Sequence, residues 1–163
     1  MKIEIYTDGS SMHNGKDNCY AGWAAVFYLN GKEYVRYGHL PAKSSNNKGE
    51  IYGVLYAMNM FKAKKDWQIQ IYSDSQYVVK AINEWRRGWE QRHYCDVKNM
   101  ELFGPLFDAW DQHGNAKISW VKGHKGNIGN EEADKYAGMG LRNIENNLTT
   151  DTLDVKICND IVF

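Results

Sequence analysis

The sequence predicts an α/β domain built on a mixed five-stranded β-sheet. Five short segments have the alternating apolar pattern of strands, and Asn30-Gly31 between the second and third is a strong hairpin signal. A helical segment precedes the fourth strand, and a strand–helix–strand crossover places two parallel strands together in a right-handed unit. The length of 163 residues, with 43% hydrophobic residues, suits one domain with a packed core.

Each element follows from a local signal. The strands are predicted at residues 2–7, 20–29, 32–38, 68–73 and 117–121. The first three are antiparallel, and the fourth and fifth run parallel to the first. Helices are predicted at residues 48–64, 75–85, 98–112 and 130–141. Ser45 or Asn46 is expected to cap the first helix and Asn130 the last. Gly88 is expected to end the second helix, and Gly104-Pro105 to kink the third.

Two of the strands end in the same residue pattern. Residues Ile3 to Asp8 read IEIYTD, and residues Ile69 to Asp74 read IQIYSD. If these strands lie side by side in parallel, about 4.8 Å apart, their aspartates emerge together at one edge of the sheet. Two unit charges about 4 Å apart repel by about 4 kcal/mol at an effective dielectric constant near 20. A divalent cation relieves this repulsion, and such an ion is suited to chemistry on phosphate.

Two further acids fit the same edge of the sheet. Glu50 lies at the start of the predicted crossover helix, and Asp134 lies in the first turn or so of the last predicted helix. By spacing alone, each of them is equally an ordinary first-turn acid that the helix dipole favours.

Composition narrows the class of protein without naming a partner. Net charge does not indicate nucleic acid, because 20 basic residues balance 20 acidic ones, and basic runs near residues 62–65 and 86–92 are typical of solvated faces. Cys19, Cys95 and Cys158 lack metal-ligand spacing and are expected to be free thiols. The sequence shows no signal peptide and no long apolar run, so a soluble, cytoplasmic monomer without membrane contact is expected.

Five motifs, each centred on polar residues, follow one another along the chain. They are Tyr6-Thr7-Asp8-Gly9-Ser10, Asn46-Asn47-Lys48-Gly49-Glu50, Ser73-Asp74-Ser75-Gln76-Tyr77-Val78, Trp120-Val121-Lys122-Gly123-His124 and Gly129-Asn130-Glu131-Glu132-Ala133-Asp134. This order closely resembles type 1 ribonuclease H over residues 3–141. The resemblance implies the ribonuclease H-like fold, with helices on both faces of the sheet. It also implies a catalytic domain at residues 1–142 and leaves a C-terminal tail, residues 143–163, without a role.

The resemblance implies an endonuclease that hydrolyses the RNA strand of RNA/DNA hybrids and leaves 5′-phosphate and 3′-hydroxyl ends. It implies two Mg²⁺ ions, for which Mn²⁺ can substitute, held by Asp8, Glu50, Asp74 and Asp134. Carboxylate oxygens are hard ligands that suit Mg²⁺. Asp8 is expected to contact both ions, with Asp74 and Glu50 beside one ion and Asp134 beside the other. His124 is implied in proton transfer or product departure, whereas an unmatched loop histidine is usually only exposed.

The resemblance also implies contacts to each strand of the hybrid. The residues matched to the RNA strand are Ser11, Asn14, Asn46, Asn47 and Gln76. Short polar side chains suit the 2′-hydroxyls of a shallow minor groove, although such residues also occur simply as turn formers. The residues matched to the DNA strand are Lys43, Ser45, Tyr77, Trp85 and Asn99. Tyr77 and Trp85 match an aromatic channel and the other three a phosphate pocket; the less favoured alternative is that the two aromatic residues are core residues at helical spacing.

The segment at residues 86–97 resembles the basic handle of cellular members of the family. It keeps Trp89, but Glu90 and Asp96 lie among its arginines, and the segment is shorter than expected. Lys43 stands where many relatives carry arginine, so the bidentate contact of a guanidinium group with phosphate is lost. We expect weaker non-specific electrostatic binding than in relatives with a more basic handle.

Three other functions are compatible with parts of this pattern. A catalytically weak hybrid-binding module is disfavoured because all four acids and His124 are present. A DNA-acting relative of the same broad fold, such as a junction resolvase or an integrase, lacks the combination of Asn46, Gln76 and the basic, aromatic segment. A ribonuclease H domain associated with a reverse transcriptase carries similar motifs, but the chain contains no polymerase sequence.

Overall fold

The central sheet has five strands, and its topology is the predicted one. In a computed structural model, residues 1–13, 15–17, 19–41, 43–123 and 126–145 are described. The strands are β1 (Lys2–Met12), β2 (Tyr20–Leu29), β3 (Lys32–His39), β4 (Gln68–Ser73) and β5 (Ala116–Trp120). They lie in the order β3-β2-β1-β4-β5. The first three are antiparallel, and β4 runs parallel to both β1 and β5.

Local turn chemistry and pairing determine the ends of the strands. Asn30 and Gly31 both have positive φ, at 53° and 77°, as a tight hairpin between β2 and β3 requires. β1 is longer than predicted because β2 continues to pair with it as far as Met12 opposite Tyr20. Ser11 therefore lies in a strand, although the sequence predicts that the first strand ends at residue 7.

The helices are α1 (Asn46–Met60), α2 (Gln76–Lys80), α3 (Arg86–Gln91), α4 (Met100–His113) and α5 (Ile128–Glu145), with a π-helical turn (Ala81–Trp85) between α2 and α3. The Ser45 side chain caps α1 by accepting a hydrogen bond from the N–H of Lys48. Asn127, and not Asn130, caps α5, because the Asn127 side chain accepts from the N–H of Asn130. Pro105 lies inside α4 without ending it.

The expectation that Gly88 ends a helix is wrong. Gly88 lies inside α3, where a Cβ would meet no atom within 4 Å. Glycine costs a helix only about 1 kcal/mol relative to alanine, and tertiary packing outweighs that cost. Trp89, the next residue, packs with ring centroids 5.3 Å from Phe103 and 6.3 Å from Phe107 of α4.

Helices cover both faces of the sheet, as expected. Trp23 of β2 packs against Tyr52 and Tyr56 of α1, whereas Tyr37 of β3 packs against Tyr136 of α5 on the opposite face. The largest fully buried side chains in the described part include Trp23, Phe27, Phe61 and Phe103. The core therefore holds β1, β2 and β4 rigidly at the centre of the molecule.

Two remaining expectations concern cysteines and membranes. Cys19 and Cys95 are free thiols, as predicted, and Cys158 lies outside the described residues. Within the part of the chain that the structure describes, no helix combines the length and apolar character needed to cross a bilayer.

The close packing of α5 on β3 gives a test of this architecture. A Cβ at Gly140 would overlap the carbonyl oxygen of Gly38, whereas a Cβ at Gly138 would meet only the Arg142 guanidinium, at 3.5 Å. Gly140→Ala should lower the free energy of unfolding by about 1–3 kcal/mol because it overpacks this contact. Gly138→Ala should leave it unchanged or raise it by up to about 1 kcal/mol. Urea unfolding of both variants checks this, and equal stabilities would contradict the packing.

Candidate active site

Strand register brings Asp8 and Asp74 to the same edge of the sheet. The parallel ladder between β1 and β4 pairs Thr7 with Ser73 as its last pair. Each aspartate directly follows the last pair of this β1–β4 ladder, so the two residues emerge side by side. On its other side β1 pairs Asp8 with Ala24 of β2, which holds this aspartate inside the sheet.

Glycines let α1 approach the sheet closely enough to deliver Glu50. A Cβ at Gly9 would lie 2.5 Å from the backbone nitrogen of Glu50, and a Cβ at Gly49 would lie 2.5 Å from the carbonyl oxygen of Gly22. Only glycine permits such contacts between backbones. The motifs of the sequence include Gly9 and Gly49 but do not by themselves reveal this role. The available signal was that each of them adjoins an acid.

Three carboxylates form a compact cluster at this edge. One oxygen each from Asp8, Glu50 and Asp74 lie within 4.8 Å of one another. Asp8 and Glu50 are buried, and Asp74 is half-buried. Asp134 lies outside this group of three, in the second turn of α5 and not in the first, because α5 begins at Ile128. It is nevertheless close enough for its charge to act on both Asp8 and Glu50.

Burial and mutual repulsion favour protonation of the cluster. Burial raises the pKa of Asp8, and the charges of Glu50 and Asp74 raise it further. Burial also raises the pKa of Glu50, with a second contribution from the charge of Asp74. Asp8 and Glu50 are hydrogen bonded to each other. Without a cation, the cluster therefore retains protons at neutral pH.

The donor set fits a hard divalent cation. Glu50 Oε2 is buried and has no hydrogen-bond partner among the described residues. A buried carboxylate oxygen without a partner is costly, and a metal ion would satisfy it. All the available donors in the cluster are oxygen atoms, which are the ligands that Mg²⁺ and Mn²⁺ prefer.

Four of the residues matched to the RNA strand lie within four residues of a clustered acid along the chain. Ser11 lies near the end of β1, Asn46 and Asn47 are in the first turn of α1, and Gln76 begins α2. These positions are at the same ends of their elements as the three clustered acids. Asn14 and His124 lie outside the described residues, so their roles stay predictions.

Three of the residues matched to the DNA strand contact one another in sequence. Asn99 Nδ2 donates to the hydroxyl of Tyr77 over 3.1 Å, and the Tyr77 and Trp85 ring centroids are 6.0 Å apart. An ion pair of 2.9 Å between Lys48 and Glu101 connects the start of α1 to the start of α4. Ser45 and the exposed Lys43 precede this end of α1.

The alternative that both Tyr77 and Trp85 are core residues holds for Tyr77 but not for Trp85. Tyr77 is partly buried against the core and lies 5.6 Å from Phe103, centroid to centroid. Trp85 is 39% exposed and is not a core residue.

In the handle segment, one arginine is already engaged within the protein. Arg86 Nη2 lies 2.6 Å from Asp111 Oδ2 of α4, and the guanidinium carbon lies 4.6 Å from the Phe107 ring centroid. This pairing reduces the positive charge that the segment offers to a polyanion.

Comparison with known proteins identifies the family. The RNase H family model matches residues 1–142. A Ribonuclease H of Herminiimonas arsenicoxydans is 34% identical over 152 residues, which are 90% of this chain and 99% of that protein. The chain therefore belongs to the ribonuclease H family of enzymes.

Solved structures share the fold. LC9-RNase H1, described as a type 1 RNase H with the type 2 active-site motif, has a TM-score of 0.73 at 21% identity, over 95% of this chain and 78% of that one. LC11-RNase H1 in complex with an RNA/DNA hybrid has a TM-score of 0.65 at 17% identity, over 88% of this chain and 99% of that one. The sheet order and the covering helices are thus those of the ribonuclease H fold.

The raised pKa of Asp8 predicts how stability depends on pH in EDTA. The folded-state pKa lies above the unfolded value of about 3.9, so the stabilising effect of the protonated group is complete below about pH 4 and is lost as pH rises. Wild-type protein should therefore lose stability as pH rises from about 4 through neutral pH, toward the raised Asp8 pKa of about 11. Asp8→Asn should flatten this decline and be more stable near neutral pH by about 1.4 kcal/mol or more, the equivalent of one pKa unit.

Urea unfolding in EDTA at several pH values checks this expectation. Asp66→Asn, which neutralises an exposed aspartate at the opposite end of the sheet, is the matched control and should follow the wild-type pH dependence. Parallel curves for Asp8→Asn and wild type would show that Asp8 does not carry the effect.

Proposed function

We propose that this chain hydrolyses the RNA strand of RNA/DNA hybrids by a two-metal-ion mechanism, leaving 5′-phosphate and 3′-hydroxyl ends. The observation that supports it most is the cluster of Asp8, Glu50 and Asp74, with oxygens within 4.8 Å of one another, in a chain of the ribonuclease H family. The neighbouring LC11-RNase H1 structure contains an RNA/DNA hybrid, which supports the same substrate here.

The four acids supply the metal site in this proposal. Asp8, Glu50, Asp74 and Asp134 would hold two Mg²⁺ ions, with Mn²⁺ as a substitute. When bound, the ions supply Lewis acidity that lowers the pKa of a water and stabilises the leaving oxygen. Asp8 and Glu50 must first give up the protons that burial and repulsion hold on them. The pairing of Asp8 with Ala24 of β2, and of the preceding Thr7 with Ser73 of β4, keeps the main chain at Asp8 in place during this change.

The surrounding residues would bind and orient the hybrid. Ser11, Asn14, Asn46, Asn47 and Gln76 would contact the RNA strand, where amide and hydroxyl groups can read 2′-hydroxyls. Lys43, Ser45, Tyr77, Trp85 and Asn99 would contact the DNA strand. The exposed ring of Trp85 suits packing against a deoxyribose without a 2′-hydroxyl. His124 would move a proton near the reacting phosphate or assist product departure.

The organisation of the protein forms part of the same proposal. Residues 1–142 would constitute the catalytic domain, and the protein would act as a monomer in the cytoplasm. Sedimentation of the free protein tests the monomeric state.

Cleavage assays test the proposed activity directly. With Mg²⁺ present, wild-type protein should cut an RNA/DNA hybrid and leave double-stranded RNA and double-stranded DNA intact. Asp8→Asn and Asp74→Asn should each lower the cleavage rate by at least about 100-fold, since each removes a ligand that stabilises the transition state by several kcal/mol. Asp66→Asn should cut at the wild-type rate. Wild-type rates from Asp8→Asn, or equal cutting of duplex DNA, would contradict the proposal.

Salt titration tests the weakened handle. The log–log slope of hybrid affinity against salt, measured in EDTA to prevent cleavage, should correspond to fewer than about eight neutralised phosphates. Asp111→Asn releases Arg86 from its ion pair and should steepen the slope by about one contact. Asp108→Asn, an exposed position on the same helix, removes the same charge without freeing an arginine and should leave the slope unchanged. A wild-type slope of eight or more contacts would contradict the expectation.

A further inference from the structure

We propose that Trp120 is a positioning residue for Asp74, and that the active site uses its indole N–H and not its exposed ring. The inference rests on the proposed function, because it concerns the same carboxylate cluster. It adds a residue that acts through the main chain of Asp74 and, in this proposal, does not bind the hybrid. Its part is to hold the main chain that carries one of the metal-binding side chains.

A single hydrogen bond links the two residues. Trp120 is the last residue of β5, and its Nε1 donates to the carbonyl oxygen of Asp74 over 3.1 Å. The regular ladder ends immediately before this point, where Ser73 pairs with Trp120 and the N–H of Val121 donates to the carbonyl of Ser73 over 2.9 Å. The indole therefore extends the attachment of β4 to β5 by one residue, as far as the aspartate itself.

The main chain at Asp74 needs such an attachment. The Asp74 carboxylate approaches two other acids to within 4.8 Å, and their repulsion acts to push it outward. The turn after Asp74 is held from within, by a hydrogen bond of 3.0 Å from the N–H of Ser75 to the hydroxyl of Ser73. Trp120 supplies an anchor from a different strand, and only an anchor of that kind fixes the turn relative to the sheet.

The exposure of Trp120 fits this role. The side chain is 46% exposed, although tryptophan usually buries its large apolar surface. Packing therefore does not account for its placement. The indole N–H nevertheless donates to a backbone acceptor beside the cluster.

Gly123 gives a second, independent constraint on Asp74. A Cβ at Gly123 would lie 2.9 Å from Asp74 Oδ2, so the absence of a side chain leaves room for the carboxylate. The φ of Gly123 is outside the left-handed region, so alanine is acceptable to the backbone there and would act by steric contact alone. The end of β5 thus holds the carbonyl of Asp74 through Trp120 and limits the position of its carboxylate at Gly123.

The sharpest test removes only the N–H. Substitution of residue 120 by β-(3-benzothienyl)alanine replaces the indole N–H with sulfur in a ring of nearly the same shape. The Mg²⁺ dissociation constant, measured by titration without nucleic acid, should rise about fivefold, as expected for the loss of one neutral hydrogen bond. At subsaturating Mg²⁺, kcat should fall by a similar factor while the KM for hybrid stays within about twofold. Trp120→Phe should act in the same direction.

Two further variants complete the design. Trp67→Phe changes a tryptophan at the start of β4, far from Asp74, and should leave Mg²⁺ affinity and kcat at wild-type values. Gly123→Ala should weaken Mg²⁺ binding, because the carboxylate of Asp74 must move. Unfolding temperatures in EDTA should be nearly equal for wild type and the residue-120 variants, which separates positioning from a general loss of stability.

The outcomes are distinct. A raised KM with unchanged Mg²⁺ affinity would overturn the proposal and assign the exposed ring to substrate contact. Wild-type Mg²⁺ affinity and kinetics in the benzothienyl variant would also overturn it. If wild-type protein fails to cut hybrids, the proposed function fails, whereas the Mg²⁺ titration still decides the role of Trp120.

Discussion

Repulsion among carboxylates at one edge of the sheet is the constraint on which the rest of the structure depends. Two like charges at about 4 Å repel by about 4 kcal/mol in a protein-like dielectric, which is a large part of the 5–15 kcal/mol that stabilises a typical domain. Asp8, Glu50 and Asp74 nevertheless hold oxygens within 4.8 Å of one another. The fold must resist this repulsion, and in the absence of a cation it does so partly by keeping protons on the buried acids.

The resistance comes from backbone contacts more than from side chains. β1 is paired on both sides, so Asp8 cannot move without breaking the centre of the sheet. Gly9 and Gly49 allow the backbone of α1 to pack directly against β1 and β2, so the helix cannot shift relative to the sheet without a steric clash. Asp74 is less enclosed, since it lies on the turn after β4, and for this reason it is the acid for which an additional anchor matters.

The sequence was sufficient for the parts of the fold that local signals determine. The twin strands, the Asn30-Gly31 hairpin and the parallel pairing of β4 with β1 could all be predicted, because alternation, turn residues and crossover handedness are visible in a few residues. Packing between distant segments decided the rest. Trp89 against α4 keeps Gly88 within a helix, and the close approach of Gly129 to the Tyr6 ring accompanies a start for α5 that lies before Asn130.

In the candidate site, too, local sequence signals predict some features and long-range packing determines the others. Asp8, Glu50 and Asp74 could be predicted because Asp8 and Asp74 follow the twin strand pattern and Glu50 lies near the start of the crossover helix, and the structure brings them together. The sequence predicts that the last helix is capped by Asn130 and holds Asp134 in its first turn or so, whereas α5 begins at Ile128 and Asp134 lies in its second turn. The bond from Trp120 to Asp74 could not be predicted, since a side-chain donor reaching across strands depends on the final rotamer and register.

The extension of β1 beyond Asp8 has a consequence for recognition. Residues 9–12 are paired with β2 up to Met12, so this stretch is a rigid ribbon before any ligand arrives. A flexible loop in the same place would lose conformational entropy on binding, at a cost of about 1–2 kcal/mol for each residue ordered. In this protein the stretch is already ordered by folding, so a polymer that binds along the ribbon does so without this entropy loss. Preorganisation of this kind raises binding affinity.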